Sequence, residues 1–133
     1  MKTNTQLGTS IPPSTRTHGQ KVEQWVKDEL LKKGVKFIKE NFRTKLGEID
    51  LIMQDKNTLV FIEVRYRKST AYGDGGESVN FAKQQRIIRA AQIFLKVNTK
   101  LSNMPCRFDV VKVTGNLQNP KMTWIKQAFE VYY

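Results

Sequence analysis

Residues 47–67, GEIDLIMQDKNTLVFIEVRYR, constrain the fold more than any other stretch of this chain. Apolar and β-branched residues run from Ile49 to Met53 and again from Leu59 to Tyr66, with Asp55, Lys56 and Asn57 between them. The pattern predicts two strands joined by a polar turn. Side chains alternate faces along a strand, so Glu48, Asp50 and Ile52 share one face of the first strand, and Phe61, Glu63, Arg65 and Arg67 share one face of the second. A two-residue turn at Lys56 and Asn57, or a four-residue turn over 55–58, gives the same register. Asp50 then lies opposite Glu63, and Glu48 opposite Arg65.

Directly opposed residues of an antiparallel pair have Cβ atoms about 4.5–5.5 Å apart, and like charges there are destabilising. Two readings of the acid pair stay open. In one, the carboxylates hold a divalent cation, since Mg²⁺ is commonly bound by one or two carboxylates, several waters and substrate phosphate oxygens. In the other, they belong to a solvated ladder in which Glu48 pairs with Arg65 and each ion pair is worth little. Glu63 interrupts the apolar run 59–64, a pattern of a strand covered on both faces, which favours the first.

GEIDLI followed by VFIEVRYR resembles the YraN-type proteins, an uncharacterised bacterial family assigned to the restriction-endonuclease-like fold and akin to archaeal Holliday-junction resolvases. The resemblance extends over roughly residues 19–129. It implies an Asp on one strand and Glu-x-Lys on the next, matched here by Asp50 and Glu63, with Arg65 where the pattern has lysine. Arginine does not lose its proton to act as a base, but it can hold a phosphate and stabilise developing negative charge. Resolvase-like nucleases also carry a glutamate on their first helix that reaches the metal site, and Glu23 falls at the matching position. The implied function is a Mg²⁺-dependent nuclease or nuclease-like DNA-processing protein, with Mn²⁺ as the alternative ion. Asp50 and Glu63 would be the metal ligands, and Glu23, Asp50, Glu63 and Arg65 the catalytic set. A catalytically inactive nucleic-acid-binding module of the same fold is the competing reading, and Arg65 is its main support. The resemblance also leaves a homodimer open, because resolvases dimerise.

The formal net charge of +11 points to a polyanionic partner, since a cationic protein gains affinity by releasing counterions condensed on nucleic acid. DNA is the expected partner, and Arg43, Arg67, Lys68, Lys83 and Arg86 are the candidate contacts. No apolar run reaches the length of a transmembrane helix, so no membrane partner is expected. Cys106 is the only cysteine and His18 the only histidine, which excludes an intrachain disulfide, a Cys/His zinc cluster and a Ser-His-Asp hydrolase built on any other histidine. With no signal-peptide core at the N-terminus, a reducing cytoplasm is the expected location.

Taken in order, residues 1–16 are rich in Thr, Ser and Pro and read as a flexible tail, leaving 17–133 as a single nuclease-like domain. Thr17 and Gln20 have capping-box spacing. Val22, Trp25, Val26 and Leu30 make one apolar helical stripe bordered by Glu23, and Gly34 suits a helix stop. Glu23 reads either as a site residue or as an i,i+4 partner of Lys27. Residues 35–42 read as the first strand, and the Gly-rich stretch 68–78 as a loop. A second helix over 80–97 has Asn80 as its cap and Ile87, Ile88, Ala91, Phe94 and Leu95 as its core face, while Lys83, Arg86 and Arg89 form a basic ridge or simply its solvated face. A strand over 106–114 follows, with Asp109 read as a structural acid paired with Arg107 or Arg65, and then a short edge strand over 122–125 anchored by Trp124. The expected fold is α/β: a restriction-endonuclease-like mixed sheet flanked by helices, in the order α-β-β-β-α-β plus a short terminal strand.

Overall fold

The computed structural model describes residues 3–7, 17–68 and 79–131. Elements follow in the order β1 (Thr3–Leu7), α1 (His18–Lys32), β2 (Lys36–Arg43), β3 (Glu48–Asp55), β4 (Thr58–Arg67), α2 (Phe81–Val97), β5 (Cys106–Thr114) and β6 (Lys121–Phe129), with a 3-10 turn at Thr99–Leu101 between α2 and β5. One six-stranded sheet has the order β1-β6-β5-β4-β3-β2. Only the β4–β5 pair is parallel, because α2 carries the chain across between them, and the other pairs are antiparallel. This is the mixed α/β arrangement expected from the sequence, and its element order agrees with the restriction-endonuclease-like fold.

The two helices cover opposite faces of the sheet. On one face Val22, Trp25, Val26 and Leu30 of α1 pack against Leu51, Met53, Val60, Ile62, Val111 and Trp124. On the other, Ile87, Ile88, Ala91 and Phe94 of α2 pack against Ile49, Ile52, Phe61, Phe108 and Val110. Strand β4 is therefore buried from Leu59 through Glu63, as the apolar run 59–62 requires, and Glu63 is buried with it. The capping box at Thr17 and Gln20 forms as its spacing predicts, Gly34 takes a left-handed φ of 89° after α1, and Asn80 caps α2 by accepting the Lys83 N–H at 2.9 Å.

The hairpin closes through Lys56 and Asn57, the two-residue alternative, with Lys56 at φ 57° and Asp55 paired to Thr58. Strand β2 carries a bulge between Phe37 and Lys39 and a left-handed Asn41 at φ 52°.

Two expectations need correction. Residues 3–7, read as part of a tail, form β1 along β6; strand pairing satisfies backbone groups and needs no apolar signature in the added segment. The rest of that tail lies outside the described residues. The terminal strand is neither short nor an edge, since β6 runs for nine residues between β5 and β1. Its polar Lys126 and Gln127 lie in a break of register opposite Asp109, where Gln127 adopts φ 53°, so the apolar pattern stops before the strand does. The 68–78 loop falls outside the described residues from 69 onward.

Asp109 is the structural acid expected. It is fully buried and accepts from Arg107 Nε at 3.0 and 3.2 Å, from Trp124 Nε1 at 2.8 Å and from the Gln127 N–H at 2.9 Å. Arg107 also donates to Asp55 at 2.7 Å, which holds the Asp55 carboxyl below its usual range against the opposing pull of burial.

Candidate active site at the β3–β4 split

The β3–β4 ladder pairs Leu51 with Ile62 and follows the register predicted from the turn. Beyond Leu51 the alternation of β3 breaks: Ile49 and Ile52 both face the α2 layer although they are three residues apart, while Leu51 faces α1. At this point Asp50 replaces a backbone acceptor, its Oδ2 taking the Val64 N–H at 2.8 Å. The carboxyl groups of Asp50 and Glu63 are hydrogen-bonded to each other. The predicted apposition of the two acids is thus realised.

Glu63 is 8 % exposed. Burial, reinforced by the Asp50 charge and by their hydrogen bond, pushes its pKa up to about 8; the Lys83 ammonium, with Nζ 3.3 Å from Oε2, pulls it down without offsetting the rest. At neutral pH the pair therefore keeps a proton and carries less than its full double charge. Glu23, on α1, lines a separate groove with Gln20, Gln24, Glu40 and Asn41 and is near enough to Asp50 to feel its charge. Its pKa is raised to about 7, first by burial and then by Asp50, Glu48 and Glu40, with Arg43 acting in the opposite sense. An acid beside other acids, instead of a helix-surface pair, is what distinguishes its two readings: Lys27 pairs with Glu40 at 3.5 Å.

The remaining candidates separate into two grooves. One, of about 490 Å³, is lined by Glu63, Arg65, Arg67, Asn80 and Lys83 among others. The second, of about 320 Å³, is lined by the turn 44–48 together with Lys83, Arg86 and Ile87. That turn is held by Thr44, whose hydroxyl donates to the Gly47 carbonyl at 2.8 Å and accepts the Gly47 N–H at 3.0 Å. Gly47 is required here, because a Cβ would overlap the Arg86 carbonyl group of α2. Arg43 lies outside both grooves and pairs with Glu48 at 3.7 Å across the β2–β3 register. Glu48 thus has a salt-bridge partner on the strand other than the one expected, since Arg65 was its predicted neighbour. Lys68 is exposed at the end of β4. Within the predicted basic ridge, Arg86 and Arg89 are exposed as expected, while Lys83 turns to the acids.

Among the described residues no group of three or more His, Cys, Asp or Glu side chains is placed to hold a metal ion. The Asp50–Glu63 pair, with hard oxygen donors only, suits a cation that keeps much of its water shell, as Mg²⁺ does. What sequence reasoning missed is the Lys83–Glu63 contact, which spans 20 positions, and the burial of Glu29, whose carboxylate accepts from Lys32 at 2.8 Å on a helix face otherwise apolar. Among the described residues no helix is long and apolar enough to cross a membrane.

The model of the family described as "Uncharacterised protein family UPF0102" matches residues 22–113, which include both helix-borne and strand-borne parts of the site. A UPF0102 protein of Saccharophagus degradans is 47% identical over 111 residues, covering 84% of this chain and 91% of the relative. UPF0102 proteins of Nitrosococcus oceani and Stutzerimonas stutzeri are 42% and 41% identical, covering 90% and 87% of this chain and 97% of each relative. The YraN-type resemblance carried by GEIDLI and EVRYR is borne out, and the chain belongs to the UPF0102 family.

Proposed function

We propose that the protein is a Mg²⁺-dependent nuclease acting on DNA, with Asp50 and Glu63 as the metal-holding acids. The observation that carries this reading is the apposition of Asp50 and buried Glu63 at the strand split, with Glu63 on a groove that Arg65, Arg67 and Lys83 also line. A buried pair of like charges costs stability, and such strain is characteristic of functional sites. Hydrolysis of a phosphodiester joins one water oxygen to phosphorus and breaks the bond from phosphorus to one sugar oxygen. The water gives up a proton, and the leaving oxygen acquires one. A bound Mg²⁺ would lower the pKa of the attacking water and neutralise charge on the phosphoryl oxygens. Arg65 and Arg67 line the groove beside Glu63 and would hold the backbone, and Glu23 would orient or complete the acidic side. Mn²⁺ would serve the same donor set.

The test is cleavage of labelled duplex, single-stranded and four-way-junction DNA with Mg²⁺, with Mn²⁺ and with EDTA. Asp50→Ala and Glu63→Ala proteins, purified in parallel, are expected to lose at least a hundredfold in rate. Variants that cut as well as the parent would place the activity in a contaminant and remove these two residues from the site.

Arg65 at the lysine position supports a second reading, a DNA-binding module of the same fold without catalysis. Both readings predict binding dominated by phosphate contacts. Reversing charge at Lys83 and Arg86 should weaken binding by about the same factor on every DNA sequence, and raising salt from 50 to 200 mM should lower parental affinity steeply. Anisotropy titrations at several salt concentrations check this, and salt-insensitive binding contradicts both readings. Only the nuclease requires a divalent-ion site, which calorimetric Mg²⁺ titration distinguishes.

A further inference from the structure

Two residues after Glu63, Arg65 lines the larger groove only, and Arg86 lines the smaller one only. Lys83 lines both, so it stands where they meet, and its Nζ is also the cation 3.3 Å from Glu63. Its position is set by the backbone. Asn80 takes the Lys83 N–H at 2.9 Å as the cap of α2, and side chains in the first turn of a helix lean toward its N-terminus, here toward the end of β4. A phosphodiester strand running through both grooves would pass Lys83, beside Glu63.

We propose that Lys83 supplies the positive charge that meets the transferring phosphoryl group, while Arg65 and Arg86 hold the flanking phosphates in the two grooves. The assignment rests on the nuclease reading and gives its charge-stabilising role to a residue of α2 instead of one on β4. In the free protein the ammonium offsets the buried Glu63 carboxyl. With a divalent cation held by Asp50 and Glu63, Lys83 would be available to face a phosphoryl oxygen. Lysine suits this because it is a compact point charge on a flexible stem, whereas the planar fork of arginine suits fixed bidentate contacts.

The experiment compares Lys83→Met, Lys83→Arg, Arg65→Gln and Arg86→Gln with the parent by steady-state cleavage, by DNA binding in EDTA and by Mn²⁺ titration without DNA, each after a thermal melt has shown the variant folded. Lys83→Met is expected to lower kcat at least a hundredfold with KM within threefold of the parent, and Lys83→Arg to restore at least tenfold of that loss. Arg65→Gln and Arg86→Gln should raise KM and weaken DNA binding with little change in kcat. Lys83→Met should also bind Mn²⁺ at least fivefold more tightly, because a competing cation beside Glu63 is gone. A Lys83→Met protein that keeps kcat within threefold, loses its activity through KM, or binds Mn²⁺ no more tightly than the parent overturns the assignment. A parent that cleaves no DNA overturns the nuclease reading and this assignment together, whereas an active parent with an unaffected Lys83→Met overturns this assignment alone.

Discussion

Glu63→Gln is expected to melt about 10 °C above the parent at pH 8.5 without divalent ions, and to lose that advantage at pH 5. The sign follows from a folded pKa of about 8 against an ordinary 4.5. Folding favours the protonated carboxyl, so its stabilising contribution is complete below the unfolded pKa and is lost as pH rises toward and through 8. Above that point the parent must ionise a buried group beside Asp50, a cost on the order of 3 kcal/mol, which glutamine does not incur. For a domain of this size that corresponds to roughly 10 °C. Glu23, raised to about 7, contributes a smaller pH dependence of the same sign. Mg²⁺ should raise the parental melting temperature at pH 8.5 by linkage and leave Glu63→Gln nearly unmoved. Melts across pH 5–9 with and without Mg²⁺ decide the matter. A Glu63→Gln protein that melts lower than the parent at pH 8.5 would show that ionised Glu63 stabilises the fold, against a raised Glu63 pKa.

Asp109→Ala should produce the largest loss of stability among single substitutions outside the site, about 3–5 kcal/mol, because it strands several donors at once. The Trp124 indole N–H and the Gln127 N–H lose their acceptors, and Arg107 keeps only Asp55 of its two carboxylates. Asp109→Asn retains an acceptor for one of these donors and should lose less. Asp109 lies on the α1 face, beside Val111 and Trp124, whereas Glu63 faces α2 and Lys83. The folded fraction of either variant should therefore bind Mg²⁺ and DNA as the parent does. Chemical denaturation gives the stability change, and calorimetry on the folded protein tests the separation. A loss under 1 kcal/mol would show that these donors find other partners.

The parts of the molecule that are legible in the sequence are those governed by local rules. The β3–β4 register follows from a turn with an even number of residues, and that alone brings Asp50 against Glu63. Thr17 and Asn80 announce their helices because a cap acts over three residues. The hub at Asp109 is different. Its acidity and its apolar neighbours signal burial, but Asp55 comes from β3 and Trp124 and Gln127 from β6, and nothing in their spacing from Asp109 connects them. Lys83 was legible as a basic residue on α2 and illegible as a partner of Glu63, since the crossover that joins them fixes neither distance nor direction. Strand β1 was missed for a third reason: its contribution is made by backbone pairing with β6, which composition does not record.

Strand β2 ends the sheet, and its features limit how copies of this chain can associate. A neighbouring molecule adding a strand there would have to match a bulge at Ile38 and a left-handed turn of the backbone at Asn41, and would meet the exposed ammonium groups of Lys36 and Lys39. Each feature spoils the flat, uncharged ladder on which intermolecular sheet extension depends. A concentrated solution is thereby protected from edge-to-edge aggregation at this border. Continuing the sheet across β2 into a second copy is disfavoured for the same reasons.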